Sequence, residues 1–291
     1  MTNQKSKIEI QKSEMDHLDK LEAESIYIFR EAFHKIKKLG MLWSFGKDSN
    51  VMCWLAMKAF YGKIPFPLIQ LDTELEMDEV YAFRDKYKKE WNVNLIQEIC
   101  PPYESTDASL PHSARIAARK TGGLKQVLDR EKFDGIIAGI RRDEEGTRAK
   151  ERYFSPRGVD NDWNVKDQPP EFWGQYMTDF APGTHVRIHP LLHWTELDVW
   201  LYIKREGLPI VPLYFAKPYG EFYGQDYKGA MMRFRSLGEK GITYPLASTA
   251  TNIDEIIEEL KTTKVSERAG RPMGANEDES SFERLRAAGY M

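Results

Sequence analysis

Hydrophobic periodicity divides the first 140 residues of the chain into alternating helical and extended segments. Apolar residues recur at helical spacing in four segments, and short continuous apolar runs, typical of buried strands, lie between them. The pattern predicts helices over residues 15–38, 48–60, 77–91 and 113–130, and strands over residues 40–43, 66–71, 93–99 and 135–140. Because glycine is a poor helix former, Gly122-Gly123 is expected to interrupt the fourth helix.

Strands that alternate with helices are typical of an α/β fold, here a doubly wound, mostly parallel sheet with helices on both faces. Such sheets bind ligands beyond the carboxyl ends of their strands. Three polar segments occupy those ends: the loop 44–49, Asp72-Thr73 and residues 141–143. The alternation therefore places three separate segments around one crevice, where we expect a ligand to bind.

The regular alternation of helical and extended segments ends at about residue 150. Residues 155–183 are rich in Pro, Asp, Asn, Trp and Gly, which predicts a long irregular excursion of the kind that is usually functional or disordered. Beyond it, the pattern predicts a fifth strand and two helices, over residues 186–191, 195–206 and 254–261. We therefore predict one α/β domain over residues 1–215, followed by an irregular C-terminal extension over residues 216–291.

Composition and charge narrow the range of functions. The chain has 291 residues, 41% of them hydrophobic, which suffices for one sizeable core. A formal net charge of −3 excludes a global basic field, so neither nucleic acid nor an anionic membrane is an expected partner. The two cysteines, Cys53 and Cys100, form no CxxC motif, which argues against zinc, iron–sulfur and disulfide frameworks. Residues 1–20 carry no apolar signal-peptide core, so we expect a cytoplasmic location.

The loop Ser44-Phe45-Gly46-Lys47-Asp48-Ser49 joins a predicted strand to a predicted helix. Two serine hydroxyls, a glycine that permits close backbone approach and the charge of Lys47 stand beside a helix N-terminus, where free N–H groups and the helix dipole favour anions. This combination suits phosphate or pyrophosphate, and Asp48 could help to hold a magnesium ion that bridges phosphates. The spacing is not that of a Walker A motif. An ordinary strand–turn–helix junction capped by Asp48 is the alternative.

A densely charged run over residues 141–152 follows the fourth predicted strand. Guanidinium groups at a strand's carboxyl end would bind oxyanions bidentately and neutralise charge in a phosphoryl transition state. A solvated helix with i,i+4 pairs, such as Glu144 with Arg148, is the alternative. Arg187 and His189 lie in the fifth predicted strand, where a lone histidine is more often structural than catalytic.

The loop Ser44-x-Gly46-Lys47-Asp48-Ser49 resembles the pyrophosphate loop of the adenine-nucleotide α-hydrolase-like ATPases. Further motifs, in order, make the chain similar to the small catalytic subunit of bacterial sulfate adenylyltransferase from about residue 15 to the C-terminus. These motifs include Leu71-Asp72-Thr73, Gly139-x-Arg141-Arg142-Asp143, Arg148-Ala149-Lys150-Glu151-Arg152, Trp194-Thr195-Glu196-Leu197-Asp198-Val199-Trp200, Pro209-Ile210-Val211-Pro212-Leu213-Tyr214-Phe215 and Ser266-Glu267-Arg268-x-Gly270-Arg271.

This resemblance implies an enzyme that makes adenylyl sulfate and pyrophosphate from ATP and sulfate, with Mg²⁺ and with a larger GTPase subunit as partner. It implies that no side chain acts as nucleophile, because a sulfate oxygen attacks the α-phosphorus directly. The implied catalytic residues are Lys47, Arg141, Arg142 and Arg148. The implied ATP-binding residues are Ser44, Gly46, Lys47, Asp48, Ser49, Leu71, Asp72, Thr73 and Gly139. Asp48 is also the candidate magnesium ligand.

The C-terminal extension is a candidate for partner binding, and its arginines make it a candidate for a flap that brings Arg268 and Arg271 to the site. A solvated tail is the alternative for this stretch. Because neither cysteine lies beyond residue 100, the thiol-dependent reduction of adenylyl sulfates that related enzymes perform is not expected.

Two features depart from the family pattern. Phe45 stands where the family usually has glycine, so its benzyl group either points into the core or reshapes the phosphate loop. Residues 239–248 differ from the family's usual sequence of Cys, an aromatic residue and Pro, then Thr-Gly-Ala. Two alternatives therefore stay open: a related enzyme that adenylylates a different oxyanion or a carboxylate, and a non-catalytic nucleotide-binding subunit.

Overall fold

The computed structural model of the chain describes residues 15–144, 146–158, 163–164, 166, 168–263 and 267. The helices in these ranges are α1 His17–Lys35, α2 Lys47–Ala59, α3 Asp78–Glu90, α4 His112–Glu131, α5 Glu196–Glu206 and α6 Ile253–Thr262. The strands are β1 Leu39–Leu42, β2 Leu68–Asp72, β3 Leu95–Ile99, β4 Gly135–Ile137, β5 Phe154–Arg157, β6 His185–Ile188, β7 Lys217–Phe222, β8 Gln225–Arg233 and β9 Leu246–Ala247.

Six strands form the main sheet in the order β3-β2-β1-β4-β6-β5. The first five in this order run parallel, whereas β5 pairs antiparallel with β6 at the edge. The winding direction reverses between β1 and β4, which makes this point the topological switch at which a crevice opens. The predicted α/β fold with a mostly parallel sheet is confirmed.

Helices cover both faces of the sheet because each of them carries an apolar side. On one face, Leu124 and Val127 of α4 pack against Ile69 and Ile136 of the sheet. The larger core joins α1, α2 and α5 to the sheet, and its fully buried side chains include Trp43, Trp194 and Trp200. Within the described ranges, none of the helices has both the length and the apolar content that a bilayer crossing requires.

The extension after residue 215 is more regular than its sequence predicts. It contains a second, antiparallel sheet in the order β7-β8-β9, in addition to the predicted helix α6. Phe234 and Ile256 from this part lie in the same hydrophobic core as the main sheet. The sequence does not reveal β8 because the strand begins with the exposed polar residues Gln225 and Asp226, so that no apolar alternation marks it. β5, at the start of the predicted excursion, is missed because Pro156 lies in its middle; proline is tolerated there because the strand is at the sheet edge.

Helix α4 runs without interruption through Gly122 and Gly123, so the predicted break is wrong. The two glycines lie where the helix crosses the segment that follows β3. A Cβ at Gly122 would come within 2.9 Å of the Pro101 side chain, and a Cβ at Gly123 would come within 2.9 Å of the Cys100 sulfur. The absence of side chains here allows the helix to approach the sheet closely, which outweighs the low helix propensity of glycine.

We predict that Gly123→Ala destabilises the protein. Alanine gains at most ~1 kcal/mol of helix propensity, but its methyl group would also meet the Cys100 backbone at 3.4 Å, and overpacking of this kind typically costs ~1–3 kcal/mol. Urea unfolding measures the net change. Gln126→Ala, an exposed position of the same helix, is the control and should change little. An increase in the free energy of unfolding of the Gly123 variant would contradict the packing explanation.

Candidate active site

The loop 44–49 lies at the switch point, between the end of β1 and the first turn of α2. Gly46 is the N-cap of α2 and offers no side chain to the free N–H groups of the first turn. The hydroxyl of Ser49 donates to the Gly46 carbonyl at 3.0 Å. The hydroxyl of Ser44 lies 3.2 Å from the hydroxyl of Ser49. Asp48 does not cap the helix, because its carboxylate pairs instead with Lys47 at 3.4 Å and with Arg141.

Asn50 braces this loop from inside the core. Its side-chain amide donates to the Phe45 carbonyl at 3.1 Å, and its side-chain oxygen accepts from the indole N–H of Trp43 at 2.8 Å. Asn50 is fully buried. A buried amide with both ends hydrogen-bonded fixes the backbone on either side of the turn. Sequence reasoning missed Asn50, although it directly follows the loop motif.

The side chain of Phe45 points into the core and does not reshape the loop. Its φ is 62°, in the left-handed region that favours glycine. Its ring is nonetheless buried in the core, with its centroid 4.7 Å from that of Trp43. The benzyl group therefore points inward while the backbone keeps the turn that a glycine would make. Packing of the ring offsets the strain of ~1 kcal/mol or more that such a backbone conformation costs.

Lys47 is a buried cation surrounded by carboxylates. Its ammonium group pairs with Glu267, lies 3.4 Å from Asp48 and 3.9 Å from Glu196, and donates to the Arg235 carbonyl at 3.5 Å. Burial by itself would lower the pKa of Lys47, but the carboxylates of Glu267 and Glu196 raise it above its usual value. Lys47 is therefore a permanent positive charge at the start of α2.

Arg141 is the second buried cation of the site, as the sequence predicts for the end of β4. Its guanidinium pairs with Asp48, donates to Asp143 at 2.9 Å and donates to Glu267 at 2.5 Å. The carboxylate of Glu267 thus bridges Lys47 and Arg141. Although burial opposes ionisation of Glu267, these two cations hold its pKa far below its usual range. A single carboxylate is therefore fixed between two cations, as a phosphate oxygen would be.

Arg148 and Arg142 occupy different environments. Arg148 lines the cavity beside the loop and pairs with Glu144 at 2.6 Å. This is the i,i+4 pair foreseen in the sequence, but it is buried rather than solvated. Arg142 is half-buried, donates to the Glu151 carbonyl at 2.9 Å and contacts His193. Neither Arg142 nor Arg141 is among the residues that line the cavity, although the two carboxylates that Arg141 contacts, Asp48 and Glu267, do line it. Arg268 and Arg271 lie outside the described residues.

A cavity of about 250 Å³ adjoins the loop. Leu71 and Gly139 line it as predicted, and Ile69 and Leu124 give it an apolar wall. Asp72 and Thr73 are buried but bind elsewhere: Asp72 accepts from Tyr81 at 2.8 Å, and Thr73 donates to Glu239 at 3.4 Å. The cavity thus combines a cationic end with an apolar wall that suits the flat face of a base.

Tyr214 is a site residue that sequence reasoning missed. Its hydroxyl accepts a hydrogen bond from the backbone N–H of Lys47 at 2.9 Å, and its ring lies under the Lys47 ammonium at 5.9 Å. The residue is buried and lines the cavity. Its only sequence signal was its place in the motif at residues 209–215. It positions the first residue of α2 from a segment 167 residues away in sequence.

The charged residues of the site are better suited to a metal ion that is bound to a nucleotide than to one that the protein holds by itself. Among the described residues, no group of three or more His, Cys, Asp and Glu side chains is arranged to hold a metal. Both carboxylate oxygens of Asp48 face cations, Lys47 and Arg141. Magnesium at nucleotide sites is commonly held by one or two carboxylates together with the phosphates themselves. Asp48 is the residue here that could supply such a carboxylate.

Comparison with known proteins agrees with this geometry. Residues 38–245 match the family model described as the phosphoadenosine phosphosulfate reductase domain. Sulfate adenylyltransferase subunit 2 of Sulfurimonas denitrificans is 42% identical to this chain over 95% of the chain and 98% of the relative. The chain belongs to the sulfate adenylyltransferase subunit 2 family. The subunit 2 of Rhizobium johnstonii is 40% identical over 94% of the chain and 93% of the relative. The family resemblance inferred from the motifs is confirmed.

Solved structures of more distant proteins share the fold. FMN adenylyltransferase of Candida glabrata superimposes with a TM-score of 0.52 at 15% identity, over 87% of each chain. At this identity the likeness supports the α/β fold alone.

We predict that Phe45→Gly destabilises this member of the subunit 2 family even though it restores the family's usual residue. Glycine relieves backbone strain of ~1 kcal/mol, but loss of a buried benzyl group typically costs ~3–5 kcal/mol. Urea unfolding should therefore show a net loss of about 2–4 kcal/mol. Phe45→Leu, which keeps an apolar side chain, should retain more of the stability. Unchanged stability of the glycine variant would show that the ring contributes nothing to the core.

Proposed function

We propose that this chain transfers the adenylyl group of ATP to sulfate and releases pyrophosphate, as the catalytic subunit of a sulfate adenylyltransferase. The observation that carries the proposal is the pair of buried cations, Lys47 and Arg141, which hold one anionic group between them at the N-terminus of α2. This arrangement suits the β- and γ-phosphates of ATP, and the family relationship supports the choice of sulfate as acceptor.

The proposed position of the nucleotide follows from the loop 44–49 at one end of the cavity and the apolar wall at the other. The free N–H groups of α2 and the hydroxyls of Ser44 and Ser49 would bind the phosphates. The base would lie against the wall formed by Ile69, Leu71 and Leu124. This pose leaves the α-phosphorus between the loop and the side of the cavity where Arg148 lies. Arg141 and Arg142 both lie outside the cavity lining, but only Arg141 contacts the lining residues Asp48 and Glu267, so a direct catalytic role for Arg142 has the least support.

In this pose the reaction requires no protein nucleophile. A sulfate oxygen attacks the α-phosphorus, the bond between that phosphorus and the α,β-bridging oxygen breaks, and pyrophosphate carries away the electron pair. Lys47 and Arg141 stabilise the charge that develops on pyrophosphate, and they require no reorganisation because their positions are already fixed. Magnesium bound to the nucleotide would supply further neutralisation of phosphate charge.

Thiol chemistry, the reaction suggested by the name of the matched domain, has no support in this chain. Cys53 and Cys100 are both buried. Burial raises the pKa of the Cys100 thiol to about 12 and raises the pKa of the Cys53 thiol well above its usual value. Both residues are therefore protonated at neutral pH, and a protonated thiol is a poor nucleophile.

We also propose a GTPase as the partner subunit. The relatives are named subunit 2, which implies a second subunit, and adenylylation of sulfate is unfavourable enough to need an energy source. The C-terminal extension over residues 216–291 remains our candidate for the contact. The first residues of its strand β8 are exposed, and no residue of this strand lines the nucleotide cavity.

The decisive assay mixes the purified chain with ATP, magnesium, a GTPase partner of the elongation-factor type, GTP and one acceptor at a time. Sulfate should give acceptor-dependent release of pyrophosphate, whereas acetate and other carboxylates should not. Release with a carboxylate or another oxyanion but not with sulfate would favour the related enzyme considered above. ATP binding without release for any acceptor would favour a non-catalytic subunit.

Lys47→Ala should lower the rate of pyrophosphate release on the order of 10²–10³-fold, as loss of a charge-stabilising donor does in other enzymes. Lys125→Ala, which removes an exposed lysine from α4, is the matched control and should keep the wild-type rate. A near-wild-type rate for the Lys47 variant would show that the loop is only a structural turn.

Glu267→Gln should tighten the binding of pyrophosphate. In the free protein the Glu267 carboxylate bridges Lys47 and Arg141, so an incoming anion must compete with it for both cations. Glutamine retains the size of the side chain and removes its charge. Calorimetry with magnesium pyrophosphate measures the change in affinity, and Glu258→Gln, an exposed position of α6, is the control. Weaker binding would mean that Glu267 holds the two cations in place for the ligand instead of competing with it.

A further inference from the structure

A second cluster of buried cations lies near the edge of the main sheet, apart from the residues that line the cavity. In the antiparallel β5–β6 pair, Ser155 is opposite Arg187 and Arg157 is opposite His185. The ladder continues to His189, whose backbone N–H donates to the Tyr153 carbonyl at 3.0 Å. Because side chains alternate between the two faces of a strand, one face carries all of Ser155, Arg157, His185, Arg187 and His189. We call these five residues the β5–β6 cluster.

The β5–β6 cluster lies on the same face of the sheet as the nucleotide cavity. Arg187 is in register with Ile136 of β4, and Ile136 packs with Leu124 of α4. Leu124 in turn lines the cavity. The link is also electrostatic, because Arg148, a cavity residue, contributes to lowering the pKa of His189. The cluster therefore lies on the same sheet face as the cavity, toward the side of the cavity where Arg148 lies.

Among the described residues, no carboxylate forms an ion pair with Arg187. The carboxylate of Glu151 accepts from Arg157 at 3.1 and 3.4 Å and acts on Arg187 only through its charge. Arg187 is only 2% exposed. Burial and the neighbouring Arg157 lower the pKa of Arg187 to about 9. A guanidinium charge that is buried without a paired carboxylate is costly.

Several polar atoms of the β5–β6 cluster are buried and have no hydrogen-bond partner among the residues that the structure describes. They are Nη1 of Arg187, both ring nitrogens of His185 and Nε2 of His189. The Nδ1 atom of His189 does have a partner, the Arg152 carbonyl at 2.8 Å. Buried polar groups are nearly always hydrogen-bonded in folded proteins, and an unpaired one is costly. Four such atoms within one small region indicate a binding site better than they indicate a structural core.

We propose that Arg157 and Arg187, with His189 beside them, form a buried site for a doubly charged tetrahedral oxyanion, and that this anion is the acceptor of the adenylyl group. Two guanidinium groups match the paired oxygens of such an anion. A bound dianion would also favour the protonated form of His189, whose Nε2 would then donate to it. The identity of the anion as acceptor rests on the proposed function, whereas the existence of the site does not.

A structural role and a binding role for the cluster predict opposite effects of replacing Arg187 on the stability of the protein. A structural Arg187 would contribute to folding, so that its loss would destabilise the protein. An Arg187 kept for binding carries a buried charge with too little compensation, and its replacement by an apolar side chain of similar length should be neutral or stabilising. Arg187→Met tests this difference. Arg233→Met is the matched control, because Arg233 is an equally buried strand arginine that is fully paired with Glu259 at 2.6 Å.

The first experiment measures thermal unfolding with sodium sulfate at low millimolar concentration against sodium chloride of equal ionic strength. Sulfate should raise the midpoint of the wild type and of Arg233→Met but not that of Arg187→Met. Without sulfate, Arg187→Met should be at least as stable as the wild type, and Arg233→Met should be less stable. An equal sulfate effect in all three proteins, or a marked loss of stability in Arg187→Met, would overturn the proposal.

The second experiment uses the complete enzyme with its GTPase partner. Arg187→Met should raise the KM for sulfate on the order of tenfold to a hundredfold, the loss expected for charge-assisted hydrogen bonds, while the KM for ATP is unchanged. Arg187→Lys keeps the charge but loses the paired N–H donors of the guanidinium, so its KM for sulfate should lie between those of the wild type and Arg187→Met. An unchanged KM for sulfate would refute the site even if the enzyme adenylylates sulfate. Specific sulfate binding without adenylylation would instead refute the proposed function and leave the site standing.

Discussion

The structure depends on keeping two buried cations, Lys47 and Arg141, next to each other at the carboxyl ends of β1 and β4. Two unit charges about 4 Å apart repel by about 4 kcal/mol at the effective dielectric constant of a protein surface, and burial makes the repulsion worse. Asp48 and Glu267 contact both cations and remove this repulsion in the free protein. The site thus holds negative charge between two fixed positive charges. A triphosphate would supply negative charge of the same kind.

The fold supplies the precision that this arrangement needs. The parallel strands β1 and β4 end at the same edge of the sheet, so residues that are 94 positions apart in sequence, Lys47 and Arg141, meet in space. Tyr214 and Asn50 fix the loop from two sides, and the left-handed backbone of Phe45 is held by the burial of its ring. The same sheet face leads from the nucleotide cavity to the β5–β6 cluster. One face can therefore serve both substrates of an adenylyl transfer.

Local patterns were enough to predict most of the main sheet and the turn over residues 44–49. The strand β1, the loop 44–49 and the helix α2 follow from periodicity and turn chemistry, which act over a few residues. The predictions failed where contacts between distant segments decide the outcome. The glycines of α4 continue a helix because they pack on Cys100 and Pro101, and β8 forms although its sequence has no apolar alternation.

The candidate site shows the same limit at the level of single residues. Lys47, Arg141 and Arg148 could be proposed from sequence because they follow strand ends, where ligands bind. Glu267 and Tyr214 could not be assigned a role, because their contacts span 220 and 167 residues of sequence. Arg142 stands beside Arg141 in the motif, yet its side chain contacts His193 instead of the cavity. Neighbouring residues in sequence need not share a site, and a charge pattern alone cannot separate them.

The central claim is that the cations of this site hold the β- and γ-phosphates while an external oxyanion attacks the α-phosphorus. Tracing labelled phosphates through one turnover of the complete enzyme tests it most directly. With sulfate as acceptor, label from the α-phosphate should appear in a product joined to sulfate, and label from the γ-phosphate should appear in pyrophosphate. Label from the γ-phosphate in orthophosphate, or label from the α-phosphate in a product without sulfate, would contradict the account.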